Sequence, residues 1–555
     1  MQTVRDRNFQ TEQPVVPSIR WLWAQNLALR QRAVTEIQLV EGEVKRQRGA
    51  LAIGTTRETI QRLKQRLRWK AYWRFPNLIK APDADPKYEE ERDRKKNAAT
   101  QVPNDEELSV PMLFGAELYG PAEIDRLYAD LKRLGWDTPR FRSTLPNVIQ
   151  WIRDQRLYGS EGHFNVGIVV RKTDKRFLHP SYLLELPEEF DYLTVTIYQL
   201  SASLTCVLVG MALTEQSASW YNDELAKLRK TKSVRNPKDR FISILGADHQ
   251  KRRSIEEARE RYRGLVTNWF KRELPGFFSN EAGVSRLPTA EVITTIRQHM
   301  FAPPNEFVRD EWRRMIWDRG YRRIWTDSGC PGLQLAIGEL EDEARHHSVI
   351  GFRTSDVADS DLQHFGGRTK YALLTFCYER IEGVLVHYAC TAFLQEASRT
   401  LKLSREQLFA KKGRKEILVV LERISDFFRA STGNPAVATD LLKNKPLISY
   451  KHHCNGFVGS SLFANDKDLD LAEVLHSRVR HLAEEFIEDE EATRQQFDQL
   501  SSILSTKESI RTQRRMEVIT VIALVVALAS LVAALPPITA WAKSIESLRS
   551  AIVKM

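Results

Sequence analysis

Twenty-five consecutive residues, Val518–Ala542, carry no charge, and this run, beginning VITVIALVVALASLVAALPP, constrains the chain more than any other feature. A bilayer core about 30 Å thick needs about 20 helical residues, so the run is long enough to cross one. In lipid the backbone must satisfy its own hydrogen bonds, which predicts a helix over 516–538 that weakens or ends at Pro536-Pro537. Lys507, Arg511, Arg514 and Arg515 precede it and Lys543, Arg549 and Lys554 follow it, so flanking charge orients it only weakly. The opening MQTVRDRNFQTEQ has no apolar core of the signal-peptide kind. The five cysteines are scattered, odd in number and never spaced C-x-x-C, which suits a reducing compartment. The expectation is a single-pass protein with its N-terminus and most of its mass in the cytoplasm.

Within the apolar run, Thr520, Ala523, Ala527, Ser530 and Ala534 recur at 3-4-3-4 spacing as a stripe of small residues. Leu524, Leu528, Leu531 and Leu535 form the stripe beside it. Lipid offers no hydrophobic force between helices, so close backbone approach along small residues predicts a helix-packing face and a homo-oligomer. The tail, residues 539–555, reads as a short amphipathic helix with Ile545, Leu548, Ile552 and Met555 on one face.

Residues 466–515 contain neither glycine nor proline. With Asn465 as N-cap, and with Leu475, Val479, Leu482 and Phe486 and then Phe497, Leu500 and Leu504 in helical register, residues 465–515 predict a coiled-coil-like stalk helix. It would run directly into the spanning segment. The stretch LAEVLHSRVRHLAEEF…QLSSILSTKESIRTQRRMEVITVIALVVALASLVAAL resembles, in layout and periodicity, the stalk and first spanning helix of the CorA-like metal-ion transporters. The resemblance covers about 70 residues and implies an oligomeric bundle around a shared axis, with ion conduction as the family's activity. Where that family carries Gly-Met-Asn this chain has Leu535-Pro536-Pro537-Ile538, and it has no second spanning helix.

At 555 residues the chain exceeds the ~250–300 at which one core stops growing. Its net charge of +11 is concentrated at the N-terminus, where residues 1–100 hold 21 basic against 12 acidic side chains. Residues 1–107 read as a basic helical region followed by a polar linker over 81–107. In RETIQRLKQRLRWKAYWR, Ile60, Leu63 and Leu67 share one face, beside Arg62, Lys64, Arg66, Arg68, Lys70, Trp69 and Trp73. A basic amphipathic helix ending in tryptophans suits anionic lipid, a nucleic-acid backbone or an acidic protein groove; an ordinary core-facing helix has the same pattern.

Residues 108–290 predict an α+β domain, with strands at 164–170, 192–200 and 203–214 and a helix at 256–273. Leu193, Val195 and Ile197 alternate with Thr194, Thr196 and Tyr198, as in a half-buried strand. Residues 291–464 predict a helical domain. Trp317, Tyr321 and Trp325 fall at helical spacing, and TKYALLTFCYERIEGVLVHYACTAFL reads as a buried helix because Glu379, Arg380 and Glu382 interrupt it. The fold class expected is therefore α+β: a helix-rich body with a small sheet, then the stalk and spanning helix.

No phosphate-binding glycine loop, G-x-S-x-G or H-E-x-x-H is present, so no catalytic role or cofactor is read from the chain. Helical spacing would align Glu339, Glu343 and His347 as metal ligands; Glu343-x-x-His346 and Glu473-x-x-His476 repeat a di-metal spacing, and His452-His453-Cys454 offers softer donors. The expected function is an oligomeric membrane protein whose cytoplasmic region senses a ligand and whose helices conduct ions or permeabilise the bilayer. A monomeric tail-anchored adaptor, docking through its basic N-terminal helix, and a membrane effector of a defence system are the alternatives.

Overall fold

A computed structural model describes residues 64–69, 71–72, 86–137, 147–173, 182–235, 242–280, 287–301, 311–316, 323–337, 346–409, 433–443, 456–461, 469–534 and 538–554. The chain divides into two compact units: residues 1–90 with 231–245, and residues 91–230 with 246–555. In the first, helical residues 64–69 and 71–72 are described, together with an antiparallel pair of short strands within 232–245; Tyr72 Oη donates to Ser233 Oγ at 3.0 Å.

The second unit is built on a mixed sheet of eleven strands. In chain order with the short pair counted, these are β1 (Ser109–Tyr119), β2 (Gly162–Arg171), β3 (Leu183–Leu184), β4 (Phe190–Gln199) and β5 (Thr205–Leu213). The pair in the first unit is β6 (Lys232–Arg235) and β7 (Ile242–Leu245). The sheet continues with β8 (Thr289–Thr295), β9 (Arg323–Asp327), β10 (Leu333–Ile337), β11 (His347–Arg353), β12 (Phe457–Ser461) and β13 (Leu469–Asp470). Their order is β13-β12-β9-β10-β11-β8-β1-β5-β4-β2-β3, antiparallel except where β8 pairs β11 and β2 pairs β3.

The longer helices are α1 (Pro86–Ala99), α2 (Ala247–Glu273), α3 (Lys370–Phe409), α4 (Asn434–Lys443), α5 (Leu471–Ala534) and α6 (Ile538–Val553). Successive residues of a strand face opposite ways, and β1 shows what each face meets. The Phe114 ring lies 5.7 Å from that of Tyr378 on α3. A Cβ on Gly115, its neighbour, would strike Val266 and Phe270 of α2 at 2.5 and 2.7 Å. The centre of the sheet is thus a layer between α2 and α3, and all nine residues of β5 are buried.

The three strands read from sequence are present, with β4 and β5 antiparallel neighbours, and TKYALL…TAFL lies in a buried helix, α3. Two expectations are corrected. The sheet is not small: 291–464, read as helical, supplies most of β8 and all of β9 to β12, and Trp325 sits on β9. Trp317 and Tyr321 lie outside the described residues. The polar stretch 81–107 holds a helix, α1, with charged side chains all round.

α5 is one unbroken helix of 64 residues, about 96 Å long at 1.5 Å per residue. Asp470 caps it, its carboxylate accepting from the Ala472 amide at 2.7 Å; Asn465 lies outside the described residues. Its first half lies on the body instead of standing free as a stalk. Leu471, Leu475, Val479, Ala483, Phe486 and Phe497 are buried against α3 and α4, each large side chain contributing roughly 1.5–3 kcal/mol. From Ser505 to Ala534 every residue is exposed, and an 18-residue window there has a mean hydropathy of 2.5 with none of it buried.

Candidate functional site

Tyr371, Thr375, Tyr378 and Glu382 recur at 4-3-4 spacing along α3 and share one face. That face roofs a cleft of about 810 Å³, whose floor includes Thr194 and Thr196 of β4, with Met112 of β1 and Asp327 of β9 at its sides. The floor threonines are the polar half of the alternation legible in β4. The remaining wall is β2, through residues 163–168. The β2–β4 register slips between Asn165 and Gly167, and Gly167 has φ +112°, a conformation that favours glycine. Bulges of this kind bend a strand and re-aim its side chains, and they cluster beside functional sites.

Polar contacts fix the roof. Tyr378 Oη donates to Thr196 Oγ1 at 2.7 Å. Gly210 of β5 makes room for that ring, since a Cβ there would lie 3.0 Å from two of its carbons. Arg380 donates to both oxygens of Asp327 at 3.0 Å and stacks 4.6 Å over Phe376. Asp327 also accepts from the amides of Gly329 and Cys330 at 2.7 and 2.9 Å, so both charges are engaged. Glu382 is buried, and burial pushes its carboxyl up to about 7 against the opposing hydrogen bond of Tyr198. Glu379 is exposed at the rim; partial burial raises it too, with His364 opposing. The cleft therefore presents the rim carboxylate of Glu379, the buried carboxyl of Glu382 held by Tyr198, aromatic rings and hydroxyls.

The residues singled out from the sequence are dispersed. His347 is on strand β11, not a helix, and its Nδ1 lies 2.8 Å from Thr289 Oγ1. Glu339, Glu343 and His452-His453-Cys454 lie outside the described residues, among which no group of three or more His, Cys, Asp or Glu could hold a metal. His347 instead borders a buried ion pair, with Nε2 3.8 Å from the carboxylate of Glu291. Glu291 accepts from Arg259 Nε and Tyr221 Oη, both at 2.7 Å. Burial alone would raise its pKa; Arg259 first, then His347 and Tyr221, outweigh that and hold it at about 2. This node ties β8 to α2 and β11 and lines no described cavity.

Lys64, Arg66 and Arg68 are exposed on a helix, and the Trp69 ring lies edge-on to Tyr72 at 5.6 Å. Arg62, Lys70 and Trp73 lie outside the described residues. Thr520, Ala523, Ala527, Ser530 and Ala534 are exposed, and the hydroxyls of Thr520 and Ser530 donate to the carbonyls of Met516 and Val526 at 2.8 Å. Comparison with known protein families, with curated proteins and with solved structures finds no match to this chain.

Proposed function

We propose that this chain is an oligomeric single-pass membrane protein whose cytoplasmic body binds a small ligand in the cleft beneath α3. The apolar end of α5 then conducts ions or perturbs the bilayer in response. One observation carries the reading: α5 runs without a break from a half packed on α3 to an end, charge-free from Val518 onward, that none of the described residues covers. α3 belongs both to the cleft and to the α5 interface, so a ligand that shifts α3 acts on the same rod. Coupling of this kind needs only a packed element with two arrangements and a ligand that prefers one. The small-residue stripe supplies the face along which copies would bundle.

Membranes carrying the full chain or a truncation ending at Lys507 are washed with alkaline carbonate. The full chain is expected in the pellet and the truncation in the supernatant; release of both overturns the membrane reading. Subunit mass in nanodiscs then separates the bundle, at three or more copies, from a monomeric adaptor at one.

A further inference from the structure

The helix that follows the span has a face of its own. In α6, Trp541, Ile545, Leu548 and Ile552 recur at 4-3-4 spacing, which at about 100° per residue confines them to about 60° of arc. Each is more than half exposed, as is expected of a helix whose residues 540–554 are all exposed. Lys543, Ser547 and Ser550 lie on the opposite side, and Ser544 and Arg549 border the apolar row. Four large apolar side chains in line, uncovered by the described residues, form a surface that is unstable against water.

Its position along the chain says what covers it. Leu535-Pro536-Pro537 alone separates α5 from α6. The charge-free part of α5, Val518–Ala534, is about 25 Å long at 1.5 Å per residue, a little less than a bilayer core of about 30 Å. A span that ends there delivers α6 to the boundary between acyl chains and headgroups. α6 is no second span, because Lys543, Glu546 and Arg549 interrupt its 16 residues. Nor does its face suit a second copy: it is bulky, where the stripe on α5 is made of small residues that let backbones approach. The indole of Trp541, with one polar edge, and the long apolar stem of Arg549 are both at home at headgroup level. Lys543, Arg549 and Lys554, against Glu546 alone, match the phosphates of that layer.

We propose that α6 lies flat in the phospholipid surface at the end of the span, with Trp541, Ile545, Leu548 and Ile552 among the acyl chains and Lys543, Ser547 and Ser550 turned to water. A rod pushed along its axis would have to lift that face out of the lipid, so α6 sets the resting depth of α5. This assignment rests on the reading of α5 as a span. A chain that the carbonate wash releases overturns both; a chain that stays in the pellet with α6 in water overturns this assignment alone.

The full chain with Cys454→Ser, its other four native cysteines being buried, is reconstituted into vesicles of phosphatidylcholine with phosphatidylglycerol. Nitroxide labels are attached singly at Ile545→Cys, Ser547→Cys, Leu548→Cys and Ser550→Cys. Their collisions with oxygen, which concentrates in lipid, and with a water-soluble nickel chelate are then measured. The labels at 545 and 548 are expected to meet oxygen more, and nickel several-fold less, than those at 547 and 550, each two residues along and about 160° away. Ile545→Asp with Leu548→Asp is expected to lift the helix, so that nickel reaches a label at Ile552→Cys as readily as one at Ser550→Cys while the chain stays in the pellet. These side chains are exposed, so the body's fold is unaffected. Equal nickel access at all four positions, a helix in water, overturns the proposal. So does shielding of 545 and 548 from both reagents, which would put protein on that face, or shielding of all four from nickel with free access of oxygen, which would sink the whole helix in lipid.

Discussion

Two buried glutamates show how the same side chain is pushed in opposite directions by its partners. Glu291 faces Arg259, whose side chain is only 6% exposed, and stays ionised down to about pH 2. Its folded pKa lies below the unfolded value of about 4.3, so its stabilisation is present above that pH and is lost as pH falls from about 4 towards 2. Glu291→Gln leaves the buried Arg259 with the partly exposed Glu256 as its ion-pair partner and is expected to cost up to about 3–5 kcal/mol in urea unfolding at neutral pH. The gap between variant and parent narrows below pH 4. Glu382 is the reverse case. Its pKa of about 7 lies above the unfolded value, so burial of the carboxyl costs more as pH rises from about 4 to 7. Glu382→Gln should therefore match the parent near pH 4 and exceed it at pH 8, by up to about 3 kcal/mol. An equal offset at both pH values would show that the carboxyl ionises as freely as in the unfolded chain.

The elements legible in the sequence are those whose own periodicity suffices. β4 shows its alternation through Leu193, Val195 and Ile197, and α5 its helical register through Leu475, Val479 and Phe486, because each buries one regular face. α1 has no such face, and EEERDRKK looks the same as an exposed loop. Strands β9 and β10 are five residues each, too short for a pattern, and the helical spacing of Trp317, Tyr321 and Trp325 outweighed the strand character of RIWTD. The cleft is hidden for a related reason: its residues come from β1, β2, β4, β9, α3 and Tyr182 just before β3, and only the fold brings them together. The one local trace was a pair of glutamates, Glu379 and Glu382, in an otherwise apolar helix. α5 itself makes two halves comparable within one element. Phe486→Ala, in the half packed on the body, is expected to cost about 3–5 kcal/mol in detergent-solubilised protein. Leu528→Ala, in the exposed half, is expected to leave the body's unfolding midpoint unchanged.

For the whole molecule, the balance between water and lipid turns on the end of α5. Its large side chains there, such as Leu524, Val525 and Leu528, are all more than half exposed, and a contiguous apolar surface of that length is unstable against water. Lipid would cover the leucine side, and a second copy would fit the side of Thr520, Ala523, Ala527, Ser530 and Ala534, where backbones can approach. On the proposed reading, position along one turn of helix decides between those partners. In a background with Cys454→Ser, since the other four native cysteines are buried, single cysteines report it directly. Ala527→Cys in native membranes is expected to give a disulfide-linked dimer under mild oxidation, and Leu528→Cys, one residue and about 100° away, much less. Equal cross-linking at both positions would mean copies colliding without a fixed interface; none at Ala527 with efficient linkage at Leu528 would move the packing face to the leucine stripe.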